Sequence, residues 1–248
     1  MNSSASPRQQ QGKIGGLAAL YLAGAYIVAM PYFLVFVKYP DAGGAVGKVN
    51  VIMASHDSLR IMYLITYVVF GIVLAVLALA LHARLSRGAS GLSQVAAVVG
   101  CTWAAMLVAS GLTFNAGIAT VVELNAANPA QAVSAWQAIE PVAQGLGSSG
   151  GELLGGLWVL LVSVAALRGA ALPKALNWVG VAVGGAGVAS VVPPLADLAY
   201  VFGLLQIVWF VWLGIVLLRT ASRGLVAPEE RTDALPVSGG GPYAGKRY

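Results

Sequence analysis

IMYLITYVVFGIVLAVLALAL, residues 61–81, contains no charged side chain. A helix of about 20 apolar residues crosses the hydrocarbon core of a bilayer, because each residue adds about 1.5 Å to its length. A strand of a membrane β-barrel would be about 10 residues long and would alternate polar with apolar side chains. Residues 61–81 therefore predict a transmembrane helix.

Six stretches of this kind occur along the chain, and each lacks Lys and Arg: residues 15–37, 61–81, 93–119, 147–167, 175–192 and 198–218. Hydrophobic residues make up 58% of the sequence and charged residues only 9%. The mean hydropathy of +0.82 excludes an ordinary water-soluble domain. We therefore predict an all-α fold, an integral membrane bundle of six transmembrane helices.

The two ends of the chain differ in composition from this apolar region. Beyond Arg219 the sequence is rich in Gly, Pro, Ser and mixed charge without apolar periodicity, which predicts a disordered cytoplasmic tail over residues 220–248. Residues 1–14 form the predicted cytoplasmic N-terminal tail. Residues 15–219 then form one transmembrane domain, because the short connections leave no room for a separate soluble unit.

Basic residues fall almost entirely on alternate connections, and such loops stay in the cytoplasm. The predicted cytoplasmic set is Arg8, Lys13, Arg84, Arg87, Arg168, Lys174, Arg219, Arg223, Arg231, Lys246 and Arg247, against only Lys38, Lys48 and Arg60 outside. We therefore expect a multi-pass protein of the cell membrane with both termini in the cytoplasm. The net charge of +5 is a topology signal and is poor evidence for nucleic-acid binding.

Two external connections carry helix signals. Ser55 or Asp57 is suited to cap the start of the second span, and Asp57 could pair with Arg60 three residues later. Asn128-Pro129 predicts the start of another helix. Its apolar residues recur every three or four positions, with Glu140 off that face, which predicts an amphipathic helix that lies at the outer interface or leans over the bundle as a lid.

Glycine predicts where the helices approach one another. Gly180 and Gly184 lie four residues apart in the fifth span, and small residues allow close helix packing in lipid. Such a face could also join two subunits. The turns Arg87-Gly88-Ala89 and Arg168-Gly169-Ala170 resemble each other, which either an internal duplication or shared turn chemistry would produce.

Glu152 is the leading candidate for a functional side chain, because an ionisable group inside a membrane is costly and often functional. Arg60 is its expected partner at the same outer level, and the pair is either structural or part of a ligand site. His56, Asp57 and Asp197 lie in the same predicted external layer and could complete an acidic mouth. The alternative is that these external residues are simply solvated.

The sequence predicts no catalytic residue, no metal site and no cofactor. His56 and His82 bracket one span, so they cannot ligate a common haem. One external histidine with scattered acids is a weak zinc candidate, because zinc needs three or four clustered ligands. Ser55-His56-Asp57 is not a catalytic triad, since adjacent residues cannot converge in the relay geometry.

Several short motifs resemble a bacterial family of six-helix integral membrane proteins known as a domain of unknown function, number 4386. They are Pro40-Asp41-Ala42, the stretch from Asn50 to Ala54, Leu59-Arg60, the stretch from Ala170 to Leu176 and Trp212-Leu213-Gly214. The third span departs from that family's pattern because no charged residue enters it. The resemblance implies a six-helix fold and brings no activity.

The sequence favours a non-enzymatic membrane protein. The leading hypothesis is that its outer layer binds a partner or a small lipophilic or cationic ligand around Glu152. The alternative is a small secondary transporter that uses an outward-facing mouth around the same residue. The expected partners are the lipid bilayer and either a membrane protein or a second copy of the chain, with no nucleic acid.

Overall fold

The computed structural model describes residues 7–147 and 151–223, and every regular element in these ranges is helical, which confirms the all-α prediction. The α-helices are α1 (Pro7–Pro31), α2 (Gly44–Tyr63), α3 (Phe70–Ala127), α4 (Pro129–Gly147), α5 (Gly151–Gly169), α6 (Lys174–Ala189) and α7 (Leu198–Arg223). Two π-helices, Tyr32–Phe36 and Leu64–Val69, and two 3-10 helices, Tyr39–Asp41 and Pro193–Leu195, connect them.

α3 folds back on itself at Ala89, whose backbone is not helical (φ −155°, ψ 59°). Residues 70–88 form its first arm and residues 90–127 its second. A methyl group added at Gly100 would lie 2.9 Å from the Ala78 Cβ, and one at Gly71 would lie 2.6 Å from the Ala104 carbonyl oxygen. The two arms are therefore antiparallel, with their turn at the predicted Arg-Gly-Ala sequence.

α4 and α5 return along the second arm of α3. The Ser110 hydroxyl donates to the Ala143 carbonyl at 2.7 Å, and the rings of Trp103 and Trp158 lie 5.9 Å apart. At the far end Gly169 lies against Gly88, so the turn after α5 meets the turn at Ala89. We call this end of the bundle the turn end and the opposite end the outer end.

α6, α7 and α1 complete the bundle through small residues. Gly184 of α6 lies against Gly156 of α5, and Gly187 lies against Phe202 of α7. Gly16 of α1 packs against Gly214, near the end of α7. The predicted glycine-lined packing of the fifth apolar stretch is therefore present, and α1 begins and α7 ends at the turn end.

Four helical segments of the described chain are long and apolar enough to cross a membrane: Gln9–Asp41, Gly44–Ala127, Pro129–Gly169 and Leu198–Ser222. One of them holds both arms of α3, and α6, with 16 residues, falls short of the length. The helical, membrane-type class is therefore established, and the number of crossings stays a prediction.

Large apolar side chains form two clusters. The larger one, between α1, α3, α5, α6 and α7, includes Leu77, Trp158 and Trp209. The smaller one, at the outer end between α2, the second arm of α3 and α4, includes Ile52 and Trp136. The outer end is thus a packed layer in its own right.

The structure changes two predictions about this part of the outer end. α2 begins at Gly44, well before Ser55, because Val49 and Ile52 already bury an apolar face there. The helical geometry breaks at Ser55 (φ −140°, ψ 20°), so a second helical segment of α2 does begin after this residue, as the sequence predicted. Asp57 contacts His56 instead of Arg60.

α4 begins at Pro129 as predicted and runs antiparallel to the second arm of α3. Glu140, which the sequence placed off the apolar face, is instead on the buried face together with Trp136. Its charge is paired there with that of Lys48, a partly buried residue of α2. The position of α4 relative to a bilayer stays a prediction.

The helices also extend beyond the predicted membrane domain. α1 begins at Pro7, a residue suited to the first helical turn, and Gly12 packs against Ala221. α7 continues through Arg223, because extending a formed helix costs little. Residues 1–6 and 224–248, where most of the predicted tails fall, lie outside the described residues.

Candidate functional site

Glu152 lies in the first turn of α5, half-buried, on the wall of a cavity of about 200 Å³. We call it the Glu152 cavity. α1 contributes Tyr26, the two π-helices contribute Phe33 and Tyr67, and α3 contributes Phe70. Pro31 directly precedes the first π-helix, and Phe33 of this π-helix lines the cavity.

Aromatic rings surround much of the Glu152 cavity. Tyr26 and Phe70 meet edge to face with ring centroids 5.5 Å apart. The ring centroid of Tyr63 lies 5.4 Å from that of Phe33 and 5.5 Å from that of Tyr67. The faces of such rings carry negative charge density and attract cations. The cavity therefore combines one carboxylate with several rings of the same electrostatic preference.

A second cavity of about 140 Å³ adjoins the first, because Tyr26, Leu107, Gly147 and Glu152 line both. It extends toward α7 and the second arm of α3, where its wall includes Ala199, Phe202, Gly203 and Trp103. Glu152 thus stands between two spaces.

No basic side chain neutralises Glu152 within the part of the chain that the structure describes. The ion pairs there are Lys48 with Glu140 and His56 with Asp57. Arg60, the predicted partner, is exposed on α2. Its neighbour Leu59 is fully buried, and successive helical residues point about 100° apart, so Arg60 faces away from the bundle.

The other predicted site residues do not gather around Glu152. His56 Nδ1 and Asp57 Oδ1 are 3.0 Å apart, but the Asp57 side chain is 83% exposed. Asp197 lies just before the start of α7 and is exposed to solvent. It does not line the second cavity, whereas Ala199 does. Within residues 7–147 and 151–223, no three His, Cys, Asp or Glu side chains are close enough to hold a metal ion.

A second carboxylate, which the sequence did not single out as a site, is the centre of a polar cluster at the outer end. Glu140 Oε1 accepts hydrogen bonds from Lys48 Nζ at 2.6 Å, from the Tyr39 hydroxyl at 3.0 Å and from Gln144 Nε2 at 3.0 Å. Trp136 Nε1 donates to the Tyr39 hydroxyl at 2.9 Å. We call these residues the Glu140 cluster.

The Glu140 cluster has a structural role, because its charged groups are paired and hydrogen-bonded within the protein. Glu140 is 7% exposed, and a buried carboxylate is tolerated when it is paired and hydrogen-bonded. The pair joins α2 to α4 across 92 residues of sequence. The spacing of Trp136, Glu140 and Gln144 by four was the available signal, since it places all three on one helix face.

The sequence pattern of one protein family, described as "Domain of unknown function (DUF4386)", matches residues 17–220. The chain belongs to this family. The DUF4386 match spans from α1 to α7 and so includes the Glu152 cavity and the Glu140 cluster, and it confirms the resemblance drawn from the motifs. No match to the chain was found among curated proteins or among solved structures. The DUF4386 description supplies no activity.

Proposed function

We propose that this DUF4386 protein binds a small lipophilic organic cation in the Glu152 cavity. The observation that carries the proposal is a half-buried carboxylate with no basic partner among the described side chains, set beside aromatic rings on a cavity wall. A cation over an aromatic face gains up to about 2 kcal/mol when desolvated. A carboxylate in a membrane environment is expected to face a partner of opposite charge, and the ligand would supply it.

The size of the cavities favours a small ligand over a protein partner. The volumes of about 200 and 140 Å³ are each below the roughly 300 Å³ at which drug-sized pockets begin. The apolar lining favours a cation with an aromatic or alkyl body, and Glu152 would fix the orientation of its charge. Exposed residues such as Arg60 and Asp197 have no direct part in this proposal.

The proposal includes a placement in the membrane. Six crossings with both termini in the cytoplasm would put the turn end inside, where Arg84, Arg87 and Arg168 satisfy the preference for basic cytoplasmic loops. The Glu152 cavity would then open in the outer half of a multi-pass plasma-membrane domain over residues 15–219. Reaction of cysteines, introduced one at a time at residue 57 or 168 in a Cys101→Ser background, with an impermeant thiol reagent on intact cells tests this orientation.

The binding test uses the full chain in lipid nanodiscs and phenyltrimethylammonium as the probe. Its neutral isostere, tert-butylbenzene, has the same shape without the charge. We expect calorimetric binding of the cation with at least about tenfold preference over the isostere, the equivalent of about 1.4 kcal/mol. Equal binding of both compounds would contradict the proposed role of charge.

A transporter is the second candidate, and one observation favours it. Beyond the second cavity, Ser163, Gln206, Trp158 and Trp209 are buried with side-chain polar atoms that have no hydrogen-bond partner. Such groups could interact with a substrate or water that passes between α5 and α7. In proteoliposomes a carrier should lose pH-dependent uptake of the probe on Glu152→Gln, and unchanged uptake would remove Glu152 from the mechanism.

A further inference from the structure

The turn end carries a cavity of about 370 Å³ whose polar lining is basic or neutral. It lies between the start of α1, the end of the first arm of α3 and the end of α7. Its polar wall includes Gln9, Gln11, Arg84, Arg87 and Thr220. No carboxylate of the described chain lines it. We call it the arginine cavity.

Arg84 is held in a defined position on this wall. Its Nε and Nη2 both donate to the Ala171 carbonyl oxygen, at 3.3 and 3.2 Å. A guanidinium has five N–H donors, so the described protein contacts leave donors available for an acceptor in the cavity. The contact with Ala171, which follows the turn at Ala170, fixes the plane of the group before any ligand arrives.

The charge of the arginine cavity is uncompensated within the described chain. Neither Arg84 nor Arg87 forms an ion pair there. The acids with described side chains all belong to elements of the outer end, such as Glu140 of α4 and Asp197 before α7. A half-buried arginine with no counter-charge favours an anion that binds in the cavity.

We propose that the arginine cavity binds a phosphate ester group, and that the headgroup of an anionic phospholipid supplies it. Arginine matches phosphate oxygens with paired N–H donors, and Gln11 and Thr220 add neutral polar groups. Leu217 and Ala80 give the same cavity an apolar wall, which suits the first part of an acyl chain. Basic pockets between membrane helices on the cytoplasmic side are a known form of headgroup site.

The experiment is native mass spectrometry of the full chain, purified in detergent and incubated with phosphatidylglycerol or with phosphatidylcholine. We expect retention of the anionic lipid to exceed that of the zwitterionic lipid and to fall about tenfold in Arg84→Gln and in Arg87→Gln, the effect of losing one charge-assisted contact. Arg168→Gln is the matched control, because Arg168 is exposed at the same end and does not line the cavity. Arg87 is also exposed, so its variant tests the site even where Arg84→Gln fails to fold.

The outcomes separate the sources of the anion. Retention of phosphatidylglycerol in the presence of millimolar inorganic phosphate would support the lipid as the source, and its complete displacement would overturn that source in favour of a soluble phosphate ester. An equal loss in Arg168→Gln would overturn the proposal, because binding would then follow net charge alone. Selective lipid retention by a chain that ends at Arg223, but not by the full chain, would also overturn it and identify the carboxylates of residues 229–233 as the occupant.

Discussion

Two carboxylates on successive helices, α4 and α5, have opposite surroundings. Glu140, near the end of α4, is 7% exposed and accepts hydrogen bonds from Lys48, Tyr39 and Gln144. Glu152, in the first turn of α5, lines the Glu152 cavity and has no basic partner in the described chain. The comparison shows that burial alone does not distinguish the two acids, and that the difference between them is the presence or absence of a basic partner.

Glu140→Ala should produce the largest loss of stability. The substitution leaves Lys48 without its partner and removes the acceptor for Tyr39 and Gln144. Breaking a buried ion pair on one side costs about 3–5 kcal/mol, and because the Lys48 side chain is 24% exposed we expect a value near the lower limit. Thermal melting in detergent, with hydrogen exchange over α4, measures the effect.

The control for this prediction is the double variant Lys48→Met with Glu140→Met, which removes both charges together. It should recover part of the lost stability, because no buried charge then remains unpaired. Equal melting temperatures of Glu140→Ala and the wild type would contradict the structural role of the Glu140 cluster.

Glu152→Gln should instead weaken cation binding and leave the fold intact. Loss of the carboxylate charge lowers the affinity for phenyltrimethylammonium by about tenfold, or about 1.4 kcal/mol, and removes the cost of holding a charge in a partly buried place. Calorimetry and thermal melting on the same preparation measure both effects. Asp57→Asn, an exposed carboxylate outside the cavity, serves as the matched control and should bind like the wild type.

A loss of stability in Glu152→Gln as large as that in Glu140→Ala would contradict the claim that only Glu140 has a structural role. It would indicate that Glu152 has a structural partner after all.

Trp136→Phe should cause a smaller loss of stability, which tests a single hydrogen bond of the Glu140 cluster. The variant keeps an aromatic ring in the outer core and removes the indole N–H that donates to Tyr39 at 2.9 Å. One buried hydrogen bond contributes about 1 kcal/mol, and the smaller ring adds a modest packing loss. The measurement is the melting temperature, and cation binding at Glu152 should not change with it.

Arg60→Gln should have the smallest effect. Arg60 is exposed and forms no ion pair with Glu152, so removal of its charge leaves both the melting temperature and the cation affinity unchanged. A tenfold loss of affinity in this variant would show that Arg60 approaches the ligand, in agreement with the sequence-based pairing.

Much of the architecture followed from the sequence. The apolar stretches are helical, Gly184 packs closely against Gly156, and the Arg-Gly-Ala turn at Ala89 reverses the chain. The family resemblance drawn from short motifs was confirmed over residues 17–220. Glu152 is half-buried in the structure, as expected for an acid five residues beyond the start of an apolar stretch.

The partners of the acids could not be found in the same way. Arg60 and Glu152 share a predicted level along the bundle, but the burial of Leu59 turns the arginine outward. Lys48 and Glu140 carry no local signal of their pairing across 92 residues.

The sequence by itself determined the class, the helices and the turns of this protein, because the length of an apolar run and the backbone's need for internal hydrogen bonds in lipid are set residue by residue. Only the tertiary structure decided that Glu140 is neutralised by Lys48 while Glu152 faces a cavity. The physical reason is that electrostatic pairing depends on the rotation and approach of helices that are distant in sequence, and packing of the whole bundle sets both.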